Sequence, residues 1–282
     1  MIHTLVIPDI HGRTFWKDAL DRFPKESFQN LSIVFLGDYL DPYEFEGITK
    51  KETIENFKEI IKRAKEDERI HLLIGNHDMH YWYDAHYKCR VDSKNYNKIR
   101  DLFLQNFTLF NIAYEEEINN ERYLYTHAGV TSFWLQHLKF VGDICIKRNK
   151  ETRKDLLGNE KKVIPDERLP FCNMLFNMTP TSKELNQMKL DFQGQALLWE
   201  VSWMRGGDND SGSCIWADFA EWNYENSNID NTWQIFGHSL ANGGFDEGIV
   251  NYDKKFSMLD SRQAWVITDK QEVIKLKDYV KE

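Results

Sequence analysis

The chain has 282 residues, 41% of them hydrophobic and 14% aromatic, so it can bury a sizeable core and is not a disordered chain. A formal net charge of -9 argues against general nucleic-acid binding, which needs a basic stripe. It does not exclude a phosphorylated substrate, because a metal site carries its own positive charge.

Ile2 to Ile7 is a short apolar run that ends in Pro8-Asp9-Ile10-His11-Gly12, a strand followed by a tight loop. Thr14 can cap a helix running to about Phe23. Ser32 to Leu36 is a second, buried strand that stops at Gly37 and delivers Asp38 into a loop. Thr49 to Ala64 reads as an amphipathic helix with Ile54, Phe57, Ile60 and Ile61 as its apolar stripe. Ile70 to Ile74 is a third strand-like run, ending in Gly75-Asn76-His77-Asp78. Strand, loop, helix, strand, loop occurs twice here, which favours an α/β fold.

Met79 to Tyr87 and Ile99 to Phe110 are expected helices, and Glu115 to Glu117 a solvated turn. Arg122 to Tyr125 reads as a strand ending in Thr126-His127-Ala128-Gly129, and Phe133 to Ile146 as a helix. Lys147 to Arg168 is highly charged, and the stretch of about 147–190 is a candidate cap or insertion in an otherwise single domain, 1–282. Phe192 to Met204 resumes a Trp-rich helical pattern. Trp233 to Phe236 is a strand ending in Gly237-His238-Ser239. Lys255 to Leu259 and Ala264 to Thr268 read as a hairpin-like pair, and Glu272 to Leu276 as a last strand.

Cys89, Cys145, Cys172 and Cys214 have no paired spacing, so neither a zinc pattern nor a disulfide framework is expected. The chain opens on a strand-like run with no leader pattern, and no apolar run reaches membrane-spanning length. A soluble, cytoplasmic protein with no membrane partner is the expectation.

Five times an apolar strand ends, a turn-forming residue follows, and a metal-type ligand appears: Asp9 with His11, Asp38, Asn76 with His77, His127, and His238. In α/β sheets functional groups gather where strand ends open into loops, so five such loops at one edge would converge. Carboxylate, imidazole and amide oxygen suit manganese, iron or zinc. Two ions sharing the Asp38 carboxylate would sit roughly 3.5–4 Å apart, a spacing that activates a water and clamps an in-line phosphoryl displacement.

Asp9-Ile10-His11-Gly12, Gly37-Asp38-Tyr39-Leu40-Asp41, Gly75-Asn76-His77-Asp78, the lone His127 and Gly237-His238 resemble the calcineurin-like metallophosphoesterases. The similarity is greatest to the phosphoprotein phosphatase branch, which includes Ser/Thr phosphatases and symmetrical diadenosine tetraphosphatases. The resemblance implies a four-layer αββα sandwich of mixed sheets flanked by helices. It implies two divalent ions as cofactors, manganese first with iron or zinc as alternatives. Asp9 and His11 would bind the first, Asp38 would bridge, and Asn76, His127 and His238 would bind the second. His77 would protonate the leaving group with Asp41 orienting its ring, after direct attack by a metal-bridging hydroxide. The implied substrate is a phosphorylated protein or small molecule, with dinucleoside polyphosphates or nucleotide diesters as the alternative. A non-catalytic binding protein on the same fold is the third possibility.

The sequence departs from that family at two places. Arginine usually follows the aspartate at 41 and precedes the asparagine motif, and here Pro42 and Ile74 stand there. Arg205 resembles the placement of another phosphate-binding arginine, and Arg13, at a helix start, is a second candidate. His80 and His86 fit helix packing or a rim around the site better than metal ligation, while His3, His71 and His137 have no ligand context.

Overall fold

Strands β1 (Ile2–Ile7), β2 (Ser32–Phe35) and β3 (Ile70–Leu73) run parallel in register, Leu5 beside Ile33 and Phe35 beside Leu72, in a computed structural model that describes residues 1–83, 87–225, 229, 231–241 and 244–279. The short β4 (Phe110–Asn111) extends this sheet in parallel at one edge. At the other, β12 (Trp265–Thr268) lies antiparallel to β1 and β13 (Val273–Lys275) antiparallel to β12, giving the order β13-β12-β1-β2-β3-β4.

The second sheet has the order β10-β11-β9-β6-β5, built from β5 (Ala113–Ile118), β6 (Glu121–Thr126), β9 (Thr232–Leu240), β10 (Ile249–Asn251) and β11 (Phe256–Asp260). Here β6, β9 and β11 are parallel, with antiparallel β5 and β10 at the edges. A small antiparallel pair, β7 (Thr152–Lys154) and β8 (Glu160–Lys162), belongs to neither sheet.

Alternation along the strands separates three apolar layers. Val6, Val34, Leu73, Ile235 and Ile267 meet between the sheets. Leu5, Ile7, Ile33, Phe35 and Leu72 face the helices on the outer side of the first sheet. Among these helices are α1 (Phe15–Asp21), α2 (Lys50–Glu66), α3 (Asn76–Trp82) and α4 (Tyr96–Gln105), which bring Trp16, Phe57, Met79 and Phe103 to the same layer. That layer continues into α5 (Ser132–Arg148), α6 (Leu169–Phe176), α7 (Ser182–Lys189) and α8 (Phe192–Leu198) through Trp134, Leu175, Leu185 and Leu198. Beneath the second sheet, Trp222 of α9 (Phe219–Glu225) packs on Phe236, Phe256 and Met258. The architecture is the expected αββα sandwich with mixed sheets. Apolar contact on both faces is why the central strands read as continuous apolar runs.

Several local expectations change. Lys255–Leu259 and Ala264–Thr268 are not a hairpin pair: β11 pairs with β9 and β10 in one sheet, and β12 with β1 and β13 in the other. Two adjacent apolar runs look alike whether they pair together or with distant partners. The helix expected over Phe192–Met204 ends at Leu198, because the backbones of Glu200 and Val201 accept hydrogen bonds from Ser213 and Asn209 instead. The helix expected to reach Phe110 stops at Gln105, since Phe110 pairs with Leu72 as a strand. That expected over Met79–Tyr87 ends at Trp82, and Asp84 to His86 lie outside the described residues. Thr14 precedes α1 but makes no side-chain cap bond, since its φ of -114° and ψ of 5° are not the extended geometry a cap uses. Thr49 does cap α2, in a reciprocal pair with Glu52. Cys145 and Cys172 form a disulfide between the packed helices α5 and α6, with Cα atoms 5.8 Å apart, contrary to the expectation from spacing.

Glu115 to Glu117 is strand β5, not a solvated turn. Glu116 points between the sheets and accepts hydrogen bonds from Thr4 of β1, from Ser32 of β2 at 2.8 Å and from Tyr125 of β6 at 2.6 Å. The His3 Nδ1 lies 3.6 Å from it. Burial raises the Glu116 carboxyl, but hydrogen bonds from His3, Thr4, Tyr125 and Ser32 outweigh this and hold it below its ordinary value of 4.5. Hydrogen bonding to Glu116 holds His3 above its ordinary 6.5. The Glu116 contribution to stability is therefore present above pH 4.5 and lost as pH falls through its lower folded value; that of His3 is present below 6.5 and lost as pH rises through its folded value. Glu116→Gln should lose about 2–3 kcal/mol in urea unfolding at neutral pH. The gap to wild type should narrow below pH 4.5, and a gap independent of pH would contradict this reading.

Candidate active site

Because β1, β2 and β3 are parallel, their C-terminal ends open at one edge, and each is followed within a few residues by acids, imidazoles or amides. Asp9 and His11 follow β1, Asp38 and Asp41 follow β2, and Asn76 and His77 open α3 directly after β3. From the second sheet, His127 follows β6, and His238 lies inside the end of β9, a longer strand than the sequence suggests. The loops are tied to one another. His11 N–H donates to the Asp38 carbonyl at 2.6 Å, and Gly237 N–H to the His127 carbonyl at 2.8 Å. The buried Asp78 carboxylate accepts from the backbone N–H groups of Asp38 (2.7 Å), Tyr39 (2.9 Å) and Gly75 (2.9 Å).

Asp38 stands at the centre. Its Oδ2 lies 3.5 Å from His11 Nε2, and its Oδ1 lies 3.6 Å from His127 Nε2. His127 Nε2 is in turn 3.1 Å from both Asn76 Oδ1 and His238 Nδ1. Donor atoms around one ion with bonds of ~2.1 Å are separated by roughly 3.0–3.4 Å, so the Asn76, His127 and His238 donors are spaced for one divalent ion, with the Asp38 oxygens slightly farther out. Tautomers agree. His11 Nδ1 donates to the Leu40 carbonyl and His127 Nδ1 to the Leu36 carbonyl, each at 2.8 Å, which leaves both Nε2 lone pairs facing Asp38. Among the described residues, mutually close His, Cys and acidic donors fall into two groups that share Asp38: His11–Asp38–His77 and Asp38–His127–His238. Asp9 is in neither. Its carboxylate accepts the His238 backbone N–H at 3.1 and 3.2 Å.

Burial and the Asp38 charge push the Asp9 carboxyl up to about 8. His11 is pushed down to about 3, first by burial, although Asp38 opposes this. For His77 burial also works against the charged ring, but Asp38, Asp41 and Cys89 outweigh it and push it up to about 10. The two rings, 5.0 Å apart, thus take opposite protonation preferences. His77 Nδ1 donates to Asp41 Oδ2 at 3.1 Å, and its backbone N–H to Asp38 Oδ1 at 2.9 Å. Asp41 also receives the Tyr81 hydroxyl, and His80 Nε2 lies 3.0 Å from its Oδ2, so His80 supports Asp41 from behind and does not face the ligand set.

Arg205 pairs with Asp218 at 2.6 Å, donates to Ser239 Oγ at 2.6 Å, and shares with His238, Tyr43 and Asp260 a cavity of about 430 Å³. Arg13 is held by Glu46 at 3.1 Å and by the Asp9 carbonyl at 3.2 Å. Sequence reasoning misses Arg90, whose Nη2 lies 3.4 Å from His77 Nε2 and 3.5 Å from His11 Nε2. No motif marks it, because it belongs to an irregular segment folded back over the site. Asp78 and Asp260 are also buried near the ligands; only the first lies within a motif.

A buried carboxylate shared between two imidazole groups at the joint edge of two sheets is a candidate metal site on an αββα sandwich. Residues 2–199 match the calcineurin-like phosphoesterase family, and the chain belongs to it as a metal-dependent phosphoesterase. The matched region ends before His238. No curated protein matches. Similar solved structures include a serine/threonine phosphatase from Saccharomyces cerevisiae with similarity to human phosphatase PP5, at 18% identity and TM-score 0.45, covering 96% of this chain and 78% of that one. Another is a putative diadenosine tetraphosphatase, at 15% identity and TM-score 0.39, covering 97% of this chain and 92% of that one. Among the described residues no helix is long and apolar enough to cross a membrane.

The close crossing of the Asp38 and Gly75 loops gives a test. A Cβ at Gly75 would stand 2.1 Å from Asp38 Oδ1. Gly75→Ala should weaken manganese binding by about tenfold or more with the circular dichroism spectrum unchanged. Undiminished manganese affinity would contradict the placement of the Asp38 carboxylate.

Proposed function

We propose that this phosphoesterase hydrolyses phosphomonoesters, of protein or small molecules, with two divalent ions, manganese first and iron or zinc as alternatives. Asp9, His11 and Asp38 would hold one ion, and Asp38, Asn76, His127 and His238 the other. The observation that carries the reading is Asp38, with one oxygen toward His11 and the other toward His127. When bound, the metal pair supplies an activated water for attack on phosphorus and positive charge for the transition state.

The chain's own part is to hold substrate and deliver a proton. His77 is fixed by its Nδ1 bond to Asp41, which leaves Nε2 toward the space beside His11. From Nε2 it protonates the leaving alkoxide, with Asp41 orienting the ring. Arg205, on the wall shared with His238, and Arg13, beside Asp9, are the phosphate-binding arginines of this reading. The branch containing phosphoprotein phosphatases is favoured by the motif order and by Leu240, where many related enzymes carry a second histidine two residues after the first. We read about 147–190 as a cap, supported by a β7–β8 pair that joins neither sheet.

One observation favours dinucleoside polyphosphates as a second reading. A cavity of about 340 Å³ beside Asp41 and Arg90, lined by the apolar Pro42 and Ile48 together with the charged Glu44, Lys50 and Asp92, is of a size to take a base. Side-by-side turnover of p-nitrophenyl phosphate, a phosphopeptide, diadenosine tetraphosphate and bis-p-nitrophenyl phosphate with manganese separates the two. The proposal expects the monoesters to be preferred, and preference for the tetraphosphate would replace it.

His77→Ala should retain metal and lose on the order of 10²–10⁴-fold in rate on alkyl phosphates. Its loss on p-nitrophenyl phosphate, whose leaving group needs little protonation, should be much smaller. Equal losses on both substrates would remove His77 from the role of acid.

A further inference from the structure

The geometry points to Arg90 as a phosphate-binding residue of this site, gripping the phosphoryl group from the side of His11 and His77. This rests on the phosphoesterase reading above and adds a residue that no motif supplies.

Three observations converge. The first is position. Nη2 of Arg90 lies 3.4 Å from His77 Nε2, and 3.4 and 3.5 Å from the two ring nitrogens of His11. The guanidinium therefore stands over the face where a ligand of His11 and a proton acceptor of His77 must both lie. An oxyanion in that space comes within hydrogen-bond reach of its fork.

The second is how the side chain is held. The Arg90 Cζ sits 3.7 Å from the centroid of the Tyr43 ring, close stacking for a cation on an aromatic face. Tyr43 is itself edge-on to His11 at 5.1 Å, so the platform is anchored to the ligand set. The Arg90 backbone has φ of +50°, a conformation that costs a non-glycine residue roughly 1 kcal/mol or more and that the fold nonetheless imposes there.

The third is charge, which separates Arg90 from the other two arginines at the site. The Arg13 guanidinium is committed to Glu46 and that of Arg205 to Asp218. Among the described residues no carboxylate lies within ion-pair distance of Arg90. Its donors face imidazole nitrogens, the space between them and the Tyr43 hydroxyl. A guanidinium oriented toward a catalytic acid without an acidic partner is available to a bound anion. Arg90 brings positive charge to the site from an irregular segment that carries none of the strand-end motifs.

The test uses manganese-loaded protein and inorganic phosphate, followed by titration calorimetry, with manganese content and p-nitrophenyl phosphate turnover measured on the same samples. Arg90→Ala should bind phosphate about 10- to 100-fold more weakly at unchanged manganese content. Arg90→Lys should recover part of that loss, since an ammonium keeps the charge without the fork. Unchanged phosphate affinity in Arg90→Ala overturns the assignment, as does loss of manganese in step with phosphate, which would make Arg90 a support for the ligands. If wild type turns over p-nitrophenyl phosphate while Arg90→Ala binds phosphate normally, Arg90 alone falls. If loaded wild type turns over no phosphoester, the functional reading itself falls, and this inference with it.

Discussion

Carboxylates buried side by side repel, and each resists ionisation unless positive charge is brought to it. Asp9, Asp38 and Asp260 are buried together at the joint edge of the sheets, and burial with mutual repulsion raises Asp9 and Asp260. Asp38 behaves oppositely: burial opposes its charge, but the charged His77 ring and the His77 backbone N–H beside it hold it ionised. A fixed anion faced by imidazole lone pairs, with a second acid beside it, is a candidate site for divalent cations, whose charge would offset that of the acids. The five converging loops and the hydrogen bonds that bind them serve to hold that one carboxylate in place.

Holding it strains the backbone. His11, Asp38, Asp41 and His238 all have φ between 44° and 67°, where a side chain crowds its own backbone. Each costs on the order of 1 kcal/mol or more, and the surroundings must over-determine the geometry. Asp78 does this for the Asp38 loop by accepting three backbone N–H groups, and the Asp9 carboxylate does it for His238. Gly75 allows the loops after β2 and β3 to cross without a side chain between them. The layers behind the site give the rigidity this requires, with apolar packing on both faces of the central strands and Glu116 joining the sheets.

The strand-then-ligand pattern was legible because it is local. An apolar run followed by Gly and a ligand needs no knowledge of distant contacts, and it led to Asp38, Asn76, His77 and His127 at strand ends, and to the αββα architecture by resemblance. What was not legible depends on pairing across the fold. Lys255–Leu259 and Ala264–Thr268 are similar apolar runs, yet one completes each sheet. Glu116 sits in a run of three acids that looks solvated until β5 is placed beside β6 and over β1. Cys145 and Cys172 meet only because α5 packs on α6. Arg90 had no signal at all: an isolated arginine in an irregular segment gains its meaning from Tyr43, His11 and His77, and none of the three is near it in sequence.

The account depends on two ions sharing Asp38, and anomalous diffraction from crystals of manganese-loaded protein tests it most directly. It predicts two peaks roughly 3.5–4 Å apart, both within bonding distance of the Asp38 carboxylate. A single peak, or ions bound without Asp38, would contradict it.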